Sequence, residues 1–286
     1  MEKMEKIAIS GVTSGFGIEW LYELDKKDQV EFFVLARNKE KFDSLVNERP
    51  LKNLVHFIQC DFSSLESIEA AAEKISSLTS TLSVLVNNAG VWAGDELQLT
   101  PNSIEVTFAV NQLAPYFLTG KLLPLLLKSE NSRIVNTSSF RHSDAKIDKN
   151  DIELKNKFNA ELAYCNSKLF SILFTQELSE KLEGTTISVN CFDPGIVDTP
   201  MLKQSFPKKL LFLYPFVRRF IARSPKKGAE TGVFLSNMFS NEKVSGQYFK
   251  DKKVKKISTL ADDKSLAEWL WKECEVLSGY SYPDRL

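Results

Sequence analysis

The chain has 286 residues, 43% of them hydrophobic, with only 12 glycines and 10 prolines, which fits a compact globule with a sizeable core and excludes a low-complexity or fibrous chain. Lysine plus arginine equals aspartate plus glutamate at 37 each, so no net field draws the chain to nucleic acid. The four cysteines, Cys60, Cys165, Cys191 and Cys274, are scattered without a Cys-x-x-Cys, which argues against a disulfide framework or zinc site and for reduced thiols in a cytoplasmic protein.

From Met1 a charged hexapeptide leads into Ile7-Ala8-Ile9, an apolar run too short for a signal peptide or membrane anchor. Ile7 to Ser10 is predicted as a buried strand, followed by the turn Ser10-Gly11-Val12-Thr13-Ser14-Gly15-Phe16-Gly17, a helix over Ile18 to Lys26, and a strand over Glu31 to Ala36. The alternation continues with a strand at Val55 to Cys60, a helix at Leu65 to Leu78, a strand at Leu82 to Val86 and a helical region from about Asn102 to Lys128. Strands at Arg133 to Thr137, Thr186 to Cys191 and Gly246 to Phe249 follow, with a helix at Glu161 to Leu182 after the first of them. Seven strands separated by helices predict an α/β, Rossmann-type doubly wound parallel sheet with helices on both faces, in a single domain over residues 1–286. Arg141 to Asn159 and Pro200 to Pro225 interrupt the rhythm after the fifth and sixth strands, where loops at strand carboxyl ends build ligand sites.

Gly11, Gly15 and Gly17 follow a strand and open a helix, the context in which glycines let a backbone approach a pyrophosphate at a helix N-terminus. Twenty residues beyond, where an NAD-selective fold places a carboxylate, stand Ala36, Arg37 and Asn38. Arg37 therefore points to the 2′-phosphate of NADP, with Thr13 and Ser14 as further contacts. Tyr164 and Lys168, four apart on a helix, share a face, and a cation there favours the phenolate form of a general acid/base. Of the adjacent Ser138 and Ser139, strand alternation lets only one face a substrate. No His/Cys/Asp cluster has metal-ligand spacing, so no metal is expected; His56 reads as a core or edge histidine, and His142, three residues past Ser139, reads as a solvated loop residue with the pocket mouth as the alternative.

The glycine turn, Asp61-Phe62, Asn87-Asn88-Ala89-Gly90, Asn111, Ser138-Ser139, Tyr164/Lys168 and Pro194-Gly195 occur in the order found in short-chain dehydrogenases/reductases, which the chain resembles over nearly its whole length. Val110 to Thr119, Ala163 to Lys168 and Ser245 to Phe249 look like the retinol-dehydrogenase and WW-domain oxidoreductase branch. The resemblance implies a catalytic set of Asn111, Ser139, Tyr164 and Lys168. Tyr164 would exchange the proton, Lys168 would lower its pKa and hold the nicotinamide ribose, Ser139 would polarise the carbonyl and Asn111 would anchor a water. It also implies cofactor contacts from Gly11, Thr13, Ser14, Gly15, Phe16, Gly17, Arg37 and Asn38, from Asp61 and Phe62 about the adenine, and from Asn88, Ala89 and Gly90 along the channel. Pro194, Gly195, Val197 and Thr199 would cover the nicotinamide. Ser139 precedes Tyr164 by 25 positions, and Arg141 to Asn159 is similar to an insertion carried by that branch.

Leu210 to Ile221 mixes bulky apolar residues with Arg218 and Arg219, and the resemblance implies that this region, about 200–225, closes over the substrate, so an apolar lid implies a lipophilic carbonyl or alcohol; a membrane-surface contact, with Lys208 and Lys209 at the headgroups, and ordinary helical core packing or a dimer contact stay open for the same segment. Trp92 is a candidate pocket wall. The chain departs from the branch at Gln112, Pro115 and Asp193, and lacks its N-terminal hydrophobic anchor. The expectation is an NADP-dependent oxidoreductase acting on a hydrophobic aldehyde, ketone or alcohol, assembled as a homodimer or homotetramer. A noncatalytic NADP-binding sensor and a sugar-nucleotide epimerase are the rivals. The intact Ser139, Tyr164 and Lys168 argue against the first, and the short stretch after Pro194 against the second.

Overall fold

A computed structural model describes residues 4–206, 208–238 and 244–283. Met1, Glu2 and Lys3 of the charged hexapeptide, Pro207 of the segment expected as a lid and the side chain of Lys208 lie outside the described residues. The chain alternates β1 (Glu5–Ser10), α1 (Gly17–Leu24), β2 (Val30–Ala36), α2 (Lys39–Glu48), β3 (Leu54–Gln59), α3 (Leu65–Leu78), β4 (Val84–Asn87), α4 (Val106–Phe108), α5 (Ala114–Leu126) and β5 (Ser132–Thr137). It continues through α6 (Ala160–Lys181), β6 (Ile187–Asp193), α7 (Pro200–Gln204), α8 (Tyr214–Phe220), α9 (Pro225–Asn237), β7 (Tyr248–Lys250), β8 (Lys253–Val254) and α10 (Lys264–Ser278).

The strands form one sheet in the order β3-β2-β1-β4-β5-β6-β7-β8. Seven are parallel, as expected; an eighth, the two-residue β8, returns antiparallel to β7 through Phe249↔Val254 and Lys250↔Lys253. Period-two alternation sorts the side chains. Ala8, Phe33 and Leu35 face a core shared with α3, α5, α6 and α10, while Ile7, Ile9, Phe32 and Val34 face one shared with α1 and α9. Burying an Ile or Phe of this kind stabilises the fold by about 1.5–3 kcal/mol, which is why these apolar runs become central strands. Asn38, Ser64, Asn159 and Asp263 accept backbone N–H groups at the starts of α2, α3, α6 and α10, so the helices begin at capped residues.

The long helix expected over residues 102–128 is divided. Pro115 has no N–H to give the Asn111 carbonyl, and Ala109–Leu113 widens into a π turn in which the Ala114 N–H reaches the Ala109 carbonyl. Farther along α5, Pro124 likewise removes the donor for the Gly120 carbonyl. That carbonyl accepts instead from the Tyr280 hydroxyl at 2.9 Å, and a Cβ at residue 120 would overlap the Tyr280 ring.

Sheet order reverses between β1 and β4, and the crevice at their carboxyl ends is where an open α/β sheet holds a ligand. No described helix is long and apolar enough to cross a membrane.

Candidate active site

The glycine turn and the segment after β4 are built against each other. Gly11 has φ +71°, and a Cβ there would stand 2.8 Å from the Ala89 nitrogen; one on Gly17 would overlap the Gly11 carbonyl oxygen. Ser10 Oγ accepts from the N–H groups of Asn88 and Ala89, both at 3.0 Å, and donates to the Val86 carbonyl at 3.1 Å. The Asn88 amide donates to the carbonyls of Ser10 (3.2 Å) and Gly11 (3.1 Å). This lattice leaves a close backbone turn leading into α1, whose start has no capping side chain. Those free N–H groups and the helix dipole fit a dinucleotide pyrophosphate. Thr13 is half-buried and Ser14 exposed beside them, and Phe16 stands edge-on to Phe192, 6.3 Å between centroids.

Arg37 and Asn38 lie exposed at the end of β2, where among the described residues no carboxylate pairs with Arg37. The Asn38 side-chain Oδ1 accepts from the Lys41 N–H at 2.7 Å. At the end of β3, Asp61 accepts from the Ser63 N–H (3.0 Å) and hydroxyl (2.8 Å), and Phe62 is buried beneath it. These four residues therefore form the end of the crevice remote from Tyr164.

The other end is the chemical one. Lys168 is buried, donates Nζ to the Thr137 carbonyl at 3.2 Å, and stands 5.4 Å from the Tyr164 ring centroid. Ser139 Oγ lies near enough to the Tyr164 phenol to favour its ionised form, whereas Ser138 Oγ is committed to the Lys168 carbonyl at 2.8 Å. Asn111 is held by the π turn against the same wall: its amide donates to the Val91 carbonyl (3.0 Å) and Ser167 Oγ (3.0 Å) and accepts from the Val91 N–H (2.8 Å). Gly90 fits beside it, since a Cβ there would stand 3.3 Å from Asn111 Oδ1 and 3.8 Å from Lys168 Nζ. Trp92 packs on Tyr164, ring centroids 5.4 Å apart.

The electrostatics differ from the expected depression of the tyrosine. Burial, then the Asp193 carboxylate, push the Tyr164 phenol well above its ordinary range, and the Ser139 hydrogen bond opposes them only in part. Burial alone brings Lys168 down to about 8. Lys168 Nζ is turned toward the Thr137 carbonyl rather than toward the phenol.

Pro194 to Thr199 closes the crevice from the β6 side. The Gly195 N–H donates to Asp193 Oδ1 at 2.8 Å, and Lys250 Nζ stands 2.9 Å from Asp193 Oδ2 as an ion pair without hydrogen-bond geometry. Val197 bridges to Arg223, whose N–H reaches the Ile196 carbonyl at 2.7 Å and whose guanidinium pairs with Asp251. Thr199 caps α7. Asp193 entered the sequence reading only as a departure; Lys250 and Arg223 were missed, and no local motif marks them. His142 was misplaced. It is 4% exposed rather than solvated, because its ring is folded under Ser139 and against Tyr248. All four cysteines are buried free thiols, and His56 is half-buried, stacked on Phe33 and 2.9 Å from Glu31. Among the described residues no cluster of three metal-ligating side chains occurs.

Comparison with known proteins agrees with this architecture. A sequence model described as short chain dehydrogenase matches residues 5–210. Human retinol dehydrogenase 14 is 36% identical over 222 residues, 77% of this chain and 66% of its own, and human retinol dehydrogenase 13 is 32% identical over 285 residues, 97% and 85%. Among solved structures, a putative uncharacterized protein from Mycobacterium paratuberculosis superposes with a TM-score of 0.78 at 23% identity, covering 98% of this chain and 96% of that one. A single-residue variant of actinorhodin polyketide ketoreductase, solved with NADPH, gives 0.66 at 25% identity over 86% and 94%. A glycine-rich turn at the β1/β4 switch point, a serine, tyrosine and lysine converging at the ends of β5 and α6, and these matches make the chain a retinol dehydrogenase-like member of the short-chain dehydrogenase family, an oxidoreductase fold for nicotinamide-dependent hydride transfer.

Proposed function

We propose that the protein is an NADP(H)-preferring oxidoreductase that reduces hydrophobic aldehydes or ketones, and in reverse oxidises the corresponding alcohols. The observation that carries this reading is the convergence of Ser139, Tyr164 and the buried Lys168 after β5 and at the start of α6, with Lys168 Nζ 5.4 Å from the Tyr164 ring centroid and the Trp92 ring packed on Tyr164. A nicotinamide bound in the crevice supplies or takes the hydride. Ser139 donates a hydrogen bond to the substrate oxygen, and Tyr164, kept protonated by burial, gives that oxygen its proton. The Lys168 ammonium stabilises the phenolate left behind. The glycine turn and Pro194 to Thr199 hold the cofactor from opposite sides, and Trp92 gives the substrate an apolar wall.

The NADP preference is supported by the exposed Arg37, unpaired among the described residues, and by the absence of a carboxylate over Ala36 to Asn38. The ketoreductase match, determined with NADPH, points the same way. A lipophilic substrate is supported by the lid, where Phe212, Phe216 and Phe220 are exposed beside Lys209, Arg218 and Arg219. The same surface suits a peripheral membrane contact that would deliver such a substrate. Four buried reduced thiols accord with a cytoplasmic location.

Parallel fluorescence titrations with NADPH and NADH test the cofactor. NADPH is expected to bind at least tenfold tighter, and Arg37→Ala to remove most of that preference. Aldehyde- or ketone-dependent NADPH oxidation, lost in Tyr164→Phe, tests the reaction. NADPH binding without turnover on any carbonyl would leave a cofactor-binding protein that is not an enzyme.

A further inference from the structure

His142 is the only histidine near the reacting groups, and the acid/base scheme above does not use it. Its position is defined on every side. Both its backbone N–H (3.2 Å) and its ring Nδ1 (2.8 Å) approach the Ser139 carbonyl, while its Nε2 stands 3.3 Å from the Ser258 N–H. The ring is 4% exposed and edge-on to Tyr248 of β7, 5.0 Å between centroids. A carbonyl only accepts and a backbone N–H only donates, so the partners assign the proton: Nδ1 carries it, Nε2 is bare and the imidazole is neutral.

Ser139 itself is extended, φ −165°, at the point where β5 ends and the 3₁₀ turn Phe140–Asp144 begins, and its Oγ accepts from the Arg141 N–H at 3.3 Å. Nothing in the β5 ladder holds this residue, because the strand pairing stops at Thr137. We propose that His142 is a positioning residue for Ser139, its neutral imidazole tying the serine backbone to the segment after β8 so that the hydroxyl stays aimed at the substrate oxygen. The placement spans 116 residues of sequence, from His142 to Ser258, and joins the catalytic strand end to the far edge of the sheet. The inference rests on the oxidoreductase reading, since it assigns His142 a part in that reaction.

The test is a double-mutant cycle on full-length protein with NADPH and a turned-over carbonyl. His142→Ala is expected to lower kcat about 10- to 100-fold, the loss that a misplaced reacting group produces, with NADPH affinity unchanged within about twofold. His142→Asn, whose amide nitrogen replaces Nδ1, is expected to recover most of the rate. In a Ser139→Ala background His142→Ala is expected to cost less than about twofold more, because positioning then has nothing to act on. Equal losses in both backgrounds overturn the proposal, as does His142→Asn no better than His142→Ala. Should His142→Ala fail to bind NADPH, the Asn variant in both backgrounds decides instead. The chain has two histidines, so ¹⁵N long-range spectra of His56→Gln report on His142 alone. A neutral ring protonated on Nδ1 is expected, and one protonated on Nε2 overturns the assignment. Wild type that binds NADPH but reduces no carbonyl overturns the oxidoreductase reading and this proposal with it, whereas active wild type with an indifferent His142→Ala overturns this proposal alone.

Discussion

Behind Tyr164, the side chains of Asn87, Asn111, Asn136 and Lys168 are each 5% exposed or less and all are hydrogen-bonded, whereas on the segment proposed as a lid Phe212, Phe216 and Phe220 are 57–74% exposed. The wall is a polar network in a dry setting. Asn87 donates to Thr119 Oγ1 (3.0 Å) and to Asn136 Oδ1 (2.9 Å), and Asn136 donates in turn to Thr175 Oγ1 (2.9 Å). Removing one member strands its neighbours, so such a network holds one arrangement. The lid has the opposite character. Its helices α7 and α8 are short and bury none of their residues; α8 is tied by the surface pair Arg218–Asp198 at 2.8 Å, and the segment rejoins the crevice wall only at its end, through the Val197–Arg223 bridge. A surface of this kind adjusts its shape at little cost. Under the proposed function this is fixed chemistry beneath an adaptable cover, a division that would suit one reaction on a range of apolar substrates.

The contrast is broken most sharply at Tyr164. Tyr164→Phe is expected to lower kcat by about 10²–10⁴-fold in steady-state assays while leaving NADPH affinity intact, since only the proton donor is lost. A rate reduced less than tenfold would place the acid elsewhere. Next in size is a pH effect. With Lys168 brought down to about 8, carbonyl reduction is expected to be level below that pH and to fall about tenfold per unit above it as the ammonium is lost. Lys168→Arg, which cannot deprotonate in that range, is expected to erase the inflection even where it lowers the rate. The same depressed pKa makes the buried lysine unfavourable to folding below about 8, so its contribution to stability improves as pH rises from there toward 10.5, where the unfolded chain also loses the proton.

Asn136→Ala probes the wall itself. Leaving Asn87 and Thr175 without their partner is expected to cost about 1–3 kcal/mol, seen as a Tm lowered by roughly 3–10 °C in calorimetry. The smallest stability change belongs to the lid: Phe212→Ser, Phe216→Ser and Phe220→Ser are each expected to stay within about 0.5 kcal/mol. Their effect is expected in KM, which should rise for long-chain carbonyls and not for short ones. Loss of thermal stability in these variants would show that the lid is packed as tightly as the wall.

Much of this division was legible along the chain. Strands β1, β2 and β4 announce themselves as apolar runs because a doubly covered sheet buries both faces, and Gly11, Gly17, Tyr164 and Lys168 are marked by spacing within one turn or one helix. The unread parts depend on partners far away in sequence. The two residues of β8 are charged or exposed and carry no strand signal until Phe249 is beside them. The π turn follows from Pro115, visible as an anomaly but not as a geometry. His142 looked solvated because its neighbours Arg141, Ser143 and Asp144 are polar, while the groups that bury it, Tyr248 and Ser258, lie more than 100 residues on. The fall of the Lys168 pKa is of the same kind, since burial is a property of the packed wall and not of a Tyr-x-x-x-Lys pattern.

The hydroxyl of Tyr280 on the Gly120 carbonyl also says something about the order in which the molecule is made. A growing chain has α5, with the bond that Pro124 denies it, long before residue 280 is synthesised. Until then that carbonyl and the notch at Gly120 are open to water or to a chaperone. A chain interrupted between α6 and α10 would hold the cofactor turn and Tyr164 in sequence yet leave the Gly120 carbonyl without the partner that completes this helix.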